Sequence, residues 1–315
     1  MKGDQLSLFD QQPEDPNNFF SRKRHWSAAK HRILLRYLQS HCYNLGGDKP
    51  YQSRYINYVD GFAGTGKYGE GIGIEDFVKD SKFWANKYNH GFENTDGSPL
   101  IALKCAKLFN QEGRVNLKCF FIEANSSFNE KLKGNCKLID KNLFYKVYEP
   151  KTFEAAFPEV MDDLNNYPTL FFLDTFGVKG VTFEQICFIG NYVNQNKGEL
   201  FILFHNIQVA RHAGYSTTSS QKRPMQKAAE TFAQNLTALL GANSDRDWKP
   251  KWLELKDKPQ SFERWALEYF KNRIRKESGF KGVTSFEIKE RYSDNRPQYS
   301  IVLAVIIQRK LLVSF

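Results

Sequence analysis

Four ionisable residues each follow an apolar run of strand type: Asp60 after 55–59, Glu123 after 117–122, Asp174 after 169–173 and His205 after 199–204. Such runs, rich in β-branched and aromatic residues, read as buried strands. Segments of helical period lie between them. Strands alternating with helices predict a parallel, doubly wound α/β sheet. In that architecture ligands bind in the crevice outside the carboxyl ends of the strands. The four polar residues should therefore line one crevice, where an acid can hold hydroxyl groups or orient an amine.

The first of these strands runs into Asp60-Gly61-Phe62-Ala63-Gly64-Thr65-Gly66, three glycines in six residues after the acid. Glycine tolerates positive φ and lets a ligand approach the backbone closely. The spacing is not the G-x-G-x-x-G of a dinucleotide fingerprint. It is not a P-loop either, because Gly66-Lys67 is followed by Tyr68 and no hydroxyl is placed for a metal-bound phosphate. A plain strand–turn–helix junction is the alternative reading.

The elements that must position these residues follow in order. Residues 1–21 are polar and read as a loose arm, with Leu6-Ser7-Leu8-Phe9-Asp10 as a weak docking-peptide signal. Residues 27–43 read as a helix with Ser27 as N-cap and an apolar stripe through Ile33, Leu34, Tyr37 and Leu38. Lys30 and His31 precede the stripe by a turn, and a solvated surface role is the alternative for both. After the glycine turn, 67–95 lacks periodicity and reads as an insertion or lid. Ser98-Pro99 then opens a helix over 99–111, with Ser98 as N-cap. A helix N-terminus of this kind can hold a carboxylate.

Further on, the pattern gives strands at 117–124, 143–148, 169–173 and 199–204, with helices at 126–133, 152–165 and 182–195. Residues 207–280 break the alternation and read as a helical insertion in which Lys and Arg interleave with Trp248, Trp252 and Trp265. Such interleaving suits stacking on bases and tracking of phosphates; an ordinary helical cap with a solvated basic face is the alternative. Two β-like runs, 283–291 and 298–304, close the chain as an antiparallel hairpin. The expected organisation is an α/β domain from 22–206 and 281–315 around the 207–280 insertion.

The chain has 315 residues and a net charge of +10, with 41% hydrophobic and 25% charged residues. That length supports one large core, or one core with an inserted subdomain. The charge favours a polyanionic partner, most simply nucleic acid. No apolar run is long enough to span a membrane. The first residues have no apolar stretch of signal-peptide type, so a cytoplasmic protein is expected. Cys42, Cys105, Cys119, Cys136 and Cys187 form no C-x-x-C pair, and the histidines form no metal pattern. Free, mostly buried thiols and no zinc site are expected.

The glycine turn resembles motif I of class I S-adenosylmethionine-dependent methyltransferases, a Rossmann-like fold in which the turn wraps the methionine part of the cofactor. The resemblance implies contacts from Asp60, Phe62, Ala63, Gly64 and Gly66. It implies that Glu123, past the second strand, accepts the ribose hydroxyls; a helix N-cap or surface acid is the alternative for Glu123. The order Lys30-His31, the glycine turn, Gly97-Ser98-Pro99, Glu123 and Leu173-Asp174 resembles the bacterial three-Cys-motif partner protein family. That family has a methyltransferase-like fold and is often encoded beside a protein bearing three cysteines. The order is also similar to the 23S ribosomal RNA adenine-N6 methyltransferase family of RlmJ type. These likenesses imply His31, Ser98 and Glu123 as cofactor contacts, and Asp174 and Phe176 as the acid and aromatic of the catalytic loop. A helix-terminus acid is the alternative for Asp174. The amino-methyltransferase loop is Asp/Asn-Pro-Pro-Tyr/Phe. Here Asp174-Thr175-Phe176-Gly177 keeps an acid and an aromatic and has neither proline. The implied function is methyl transfer to nucleic acid or a modified base. The rival is a non-catalytic protein of the same fold serving a three-Cys-motif partner.

Overall fold

The computed structural model of the chain describes residues 20–46, 54–71, 91–113, 115–217, 223–289 and 294–306. Seven strands form one sheet in the order β3-β2-β1-β4-β5-β7-β6. These are β1 (Arg54–Asp60), β2 (Val115–Phe121), β3 (Tyr145–Val147), β4 (Thr169–Leu173), β5 (Glu199–Phe204), β6 (Gly282–Ile288) and β7 (Tyr299–Val305). The first five run parallel. β7 is antiparallel to both its neighbours, β5 and β6. This is the class I methyltransferase type of sheet, closed by the expected hairpin.

The inner strands are buried on both faces, so they are continuous apolar runs rather than alternating ones. Successive side chains still point to opposite faces. Tyr58, Cys119, Phe121, Phe172 and Leu203 pack on one side with α1 (His25–Gly46), α2 (Ser98–Gln111) and α3 (Ser126–Lys137). Val59, Phe120, Phe171, Leu173 and Ile202 pack on the other with α4 (Phe153–Asp163) and α5 (Phe183–Asn196). Sequence signals set the helix ends. Thr182 and Gln185 form a capping box at the start of α5, and Lys197 adopts φ 58° at its end.

Four helices follow β5: α6 (Asn206–Ser216), α7 (Arg223–Leu240), α8 (Lys249–Leu255) and α9 (Pro259–Glu277). Their apolar residues Leu236, Trp248, Phe262, Phe270 and Ile274 belong to the same core as β4 and β5.

Two helix starts differ from the sequence reading. α1 begins at His25, so Ser27 lies inside its first turn and is buried rather than capping it. The N-cap of α2 is Gly97, and Ser98 is its first helical residue. The expected arm is pinned at its C-terminal end: Gly69 N–H donates to Phe20 O at 2.9 Å and Glu70 N–H to Ser21 O at 2.8 Å. The Leu6–Asp10 docking peptide, most of the expected insertion (72–90) and the tail beyond Ile306 lie outside the described residues. The insertion's two ends are tied together, because Tyr68 N–H donates to Thr95 O at 2.8 Å and Lys67 pairs with Glu93. Cys42, Cys105, Cys119 and Cys136 are buried free thiols, and Cys187 is half-buried. Among the described residues no helix is long and apolar enough to cross a membrane.

Candidate functional site

β1 ends on Asp60, and the chain turns sharply through Gly61–Gly66. Gly61 N–H donates to Phe172 O at 3.0 Å and Ala63 N–H to Ile122 O at 2.8 Å, so the turn is stitched to β4 and to the end of β2. Gly64 and Gly66 have φ of 60° and 75°, the left-handed region that disfavours any side chain. A Cβ at Gly64 would stand 2.6 Å from the Phe20 ring, and one at Gly66 would stand 2.9 Å from Leu132. Gly97 N–H donates to Gly66 O at 2.8 Å, which sets the N-terminus of α2 against the turn.

Two buried acids brace the turn from behind. Asp60 is fully buried. Its carboxylate accepts from Phe62 N–H at 3.2 Å, from the Tyr58 hydroxyl at 3.3 Å and from Ser98. Burial outweighs these bonds and pushes its pKa up to about 7. Glu123 accepts from Gly64 N–H at 2.9 Å and from Asn125 N–H at 2.7 Å. Burial raises its pKa, and the backbone donors oppose that shift.

In front of the turn lies a cavity of about 200 Å³. Phe62, Ala63, Gly64, Gly66 and Ser98 form one wall, and Lys30 and His31 of α1 form another. Asp174, Thr175 and Phe176 enter from the loop after β4, and His205 and Tyr299 from β5 and β7. Phe20 covers the turn, edge-on to Phe128 at 5.1 Å between ring centres.

Lys30 is buried and forms an ion pair with Asp174. The solvated alternative for Lys30 and His31 is thereby corrected, because the first turns of α1 face the crevice and not the solvent. His31 is only 3% exposed, and its Nδ1 has no hydrogen-bond partner among the described residues. Burial, with Lys23 and Lys30 nearby, holds its pKa well below the usual histidine range, so the ring is neutral. His205 donates through Nε2 to Thr175 O, since a carbonyl can only accept. Its pKa is lowered by burial, against the pull of Asp174. Tyr299 donates its hydroxyl to Trp26 O at 2.5 Å. Lys23, also buried, donates to Asp96 O at 2.7 Å, and burial lowers its pKa to about 8.

Eight of the residues expected from sequence line this cavity: His31, Phe62, Ala63, Gly64, Gly66, Ser98, Asp174 and Phe176. Phe176 stands at the rim, 63% exposed. Asp60 and Glu123 are adjacent but turn their carboxylates to the backbone of the turn. Sequence reasoning put His205 in the crevice without giving it a role, and did not select Phe20, Lys30, Tyr68 and Tyr299 as site residues. His205 carried a usable signal, its place directly after β5. Phe20 and Tyr299 carried none, because long-range packing places them.

In the helical run after β5, the structure favours the helical-cap alternative for two of the three tryptophans, Trp265 being only partly buried. Trp248 is fully buried and donates to the Thr237 hydroxyl at 2.9 Å; Trp252 is buried and donates to Thr217 at 3.0 Å. Neither ring is free to stack on a base. Several cations there are paired along their own helices: Lys251 with Glu254, Lys271 with Glu268 and Arg273 with Glu277.

No protein-family model matches the chain, and no curated protein matches it. Among solved structures it is similar to a Legionella pneumophila protein of the DUF519 family, at 12% identity over 91% of this chain and 85% of that one, with a TM-score of 0.48. It is also similar to the CurJ carbon methyltransferase, at 13% identity over 90% of this chain and 56% of that one, with a TM-score of 0.40. A third is the plantazolicin methyltransferase BamL bound to S-adenosylhomocysteine, at 11% identity over 89% and 84% of the two chains, with a TM-score of 0.33. The fold assignment rests on the strand order of this chain and not on these likenesses.

Proposed function

We propose that the protein is an S-adenosylmethionine-dependent methyltransferase acting on nucleic acid or a modified base, and that it belongs with the three-Cys-motif partner proteins. One observation carries the reading: the glycine turn, the N-terminus of α2 and His31, whose buried Nδ1 has no partner among the described residues, meet at a single cavity. The residues suit the cofactor. Gly64 and Gly66, in the left-handed region, keep the turn free of side chains, so its backbone can be approached closely. The α2 N-terminus with Ser98 favours a carboxylate. His31 supplies a polar atom that otherwise lacks a partner, an arrangement that costs free energy in the absence of a ligand. Glu123, fixed by two backbone donors, is the acid that this reading assigns to the ribose hydroxyls.

When bound, the cofactor supplies an electrophilic methyl group. The chain's own residues do the rest. The aromatic lining from Trp26, Phe176 and Tyr299 orients a flat acceptor and excludes water. Asp174, held by Lys30, fixes charge beside the reacting atoms. The net charge of +10 supports a polyanionic acceptor. The test is transfer of radiolabelled methyl from S-adenosylmethionine to total RNA and to DNA. Incorporation that Asp174→Ala abolishes is expected. Absence of incorporation into either, with cofactor bound, would refute the catalytic reading.

A second reading has one observation in its favour. Lys30 occupies the Asp174 carboxylate that an amino-methyltransferase loop would turn to its substrate. A non-catalytic protein that binds cofactor or nucleotide and serves a three-Cys-motif protein fits that pairing. Co-purification with such a protein, without turnover, would favour it.

A further inference from the structure

We propose that His205 takes up the proton of the methylated group, and that this group is a hydroxyl or a ring N–H rather than an exocyclic amine. The inference rests on the cofactor reading above and adds the acceptor chemistry. His205 lines the cavity at the carboxyl end of β5, beside the Asp174 loop. Its Nε2–H is committed to Thr175 O, which fixes the tautomer and leaves the Nδ1 lone pair as the acceptor. His205 is the N-cap residue of α6, yet its side chain caps no backbone N–H. Among the described residues no donor to Nδ1 is found.

The other polar groups facing His205 are committed elsewhere. Asp174 is paired with the Lys30 ammonium. The Tyr299 hydroxyl donates to Trp26 O. A neutral imidazole with one ring nitrogen uncommitted and a carboxylate in the same cavity has the geometry of a general base; burial lowers its pKa, and Asp174 offsets part of that. An exocyclic amine needs two acceptors aimed at its two hydrogens. This loop has no proline carbonyl for the second, and its carboxylate already binds a cation. In the step, the lone pair of the acceptor oxygen or nitrogen bonds the methyl carbon. The carbon–sulfur bond breaks onto sulfur, which becomes the neutral thioether. The acceptor's proton passes to Nδ1, and Asp174 offsets the charge of the imidazolium.

Sinefungin, which carries an amine-bearing carbon in place of the methylated sulfur, probes this without a known substrate. Calorimetric titrations of sinefungin and S-adenosylhomocysteine into wild type and His205→Phe give the ratio of affinities. Wild type is expected to prefer sinefungin by roughly tenfold or more, the scale of a hydrogen bond to a charged group. His205→Phe is expected to lose that preference while binding S-adenosylhomocysteine normally. No preference in wild type, or an unchanged preference in the variant, would overturn the proposal. Failure of wild type to bind either ligand would instead remove the cofactor reading on which it rests. Should the variant not fold, nitrogen NMR of the wild-type histidines decides. Sinefungin, but not S-adenosylhomocysteine, is expected to shift the His205 Nδ1 resonance, and equal spectra would overturn the assignment.

Discussion

The crevice at the strand ends and the helical run after β5 are both rich in polar and aromatic residues, and they use them in opposite ways. In the crevice, charged and polar groups are buried at a cost: Asp60 at 0% exposure, Lys30 at 5%, His31 at 3%. In the helical run, the cations named above pair one turn along the helix with exposed acids, while Trp248 and Trp252 are interior. Exposed pairs of this kind contribute little to stability. Buried unpaired polar atoms are costly, and proteins retain them mainly where a ligand or a reaction needs them. Interleaved basic and aromatic residues therefore mark packing in one region, and a few scattered polar residues mark the site in the other.

The largest expected effect lies in the helical run. Trp248→Ala should cost about 3–5 kcal/mol, since it empties a fully buried ring site and strands the Thr237 hydroxyl. Denaturant unfolding measures this. A loss below about 1 kcal/mol would restore the tryptophan to the surface role.

Next comes the pH dependence of the crevice. The folded-state pKa of Asp60 is raised from 3.8 to about 7. Between these values the folded state holds a proton that the unfolded state has lost, so stability falls as pH rises through this window. The shift corresponds to a few kcal/mol, in order of magnitude. Asp60→Asn should flatten the difference in thermal unfolding midpoint between about pH 4 and about pH 8. An undiminished difference would assign the pH dependence to other groups.

Smaller still is the Lys30–Asp174 pair. Lys30→Met leaves a part-buried carboxylate unpaired and should cost about 1–3 kcal/mol. Asp174→Asn in the same chain should recover much of that loss. Additive losses in the double variant would show that the pair is not coupled. At the bottom of the scale, Lys251→Ala should change stability by no more than about 0.5 kcal/mol, because its partner Glu254 is exposed.

The sheet was legible because its inner strands are short apolar runs bounded by turn residues. β4 and β5 fall at 169–173 and 199–204, the positions read from sequence. The crevice was legible in outline, since a parallel sheet brings its strand ends together whatever the side chains are. What was not legible depends on distant partners. Lys30 meets Asp174 across 144 residues of sequence, and nothing local distinguishes it from a solvated lysine. Phe20 covers Gly64 although its own surroundings in sequence are polar. Trp248 and Trp252 lie among lysines in sequence, and only the packing of α7 and α9 on the sheet shows that they face inward.

The central claim is that the glycine turn and its bracing acid form a cofactor site. Calorimetric titration of S-adenosylhomocysteine into wild type and Glu123→Ala tests it most directly. The account predicts saturable one-to-one binding in wild type that the folded variant has lost. Binding absent from wild type, or equal in the two, would contradict it.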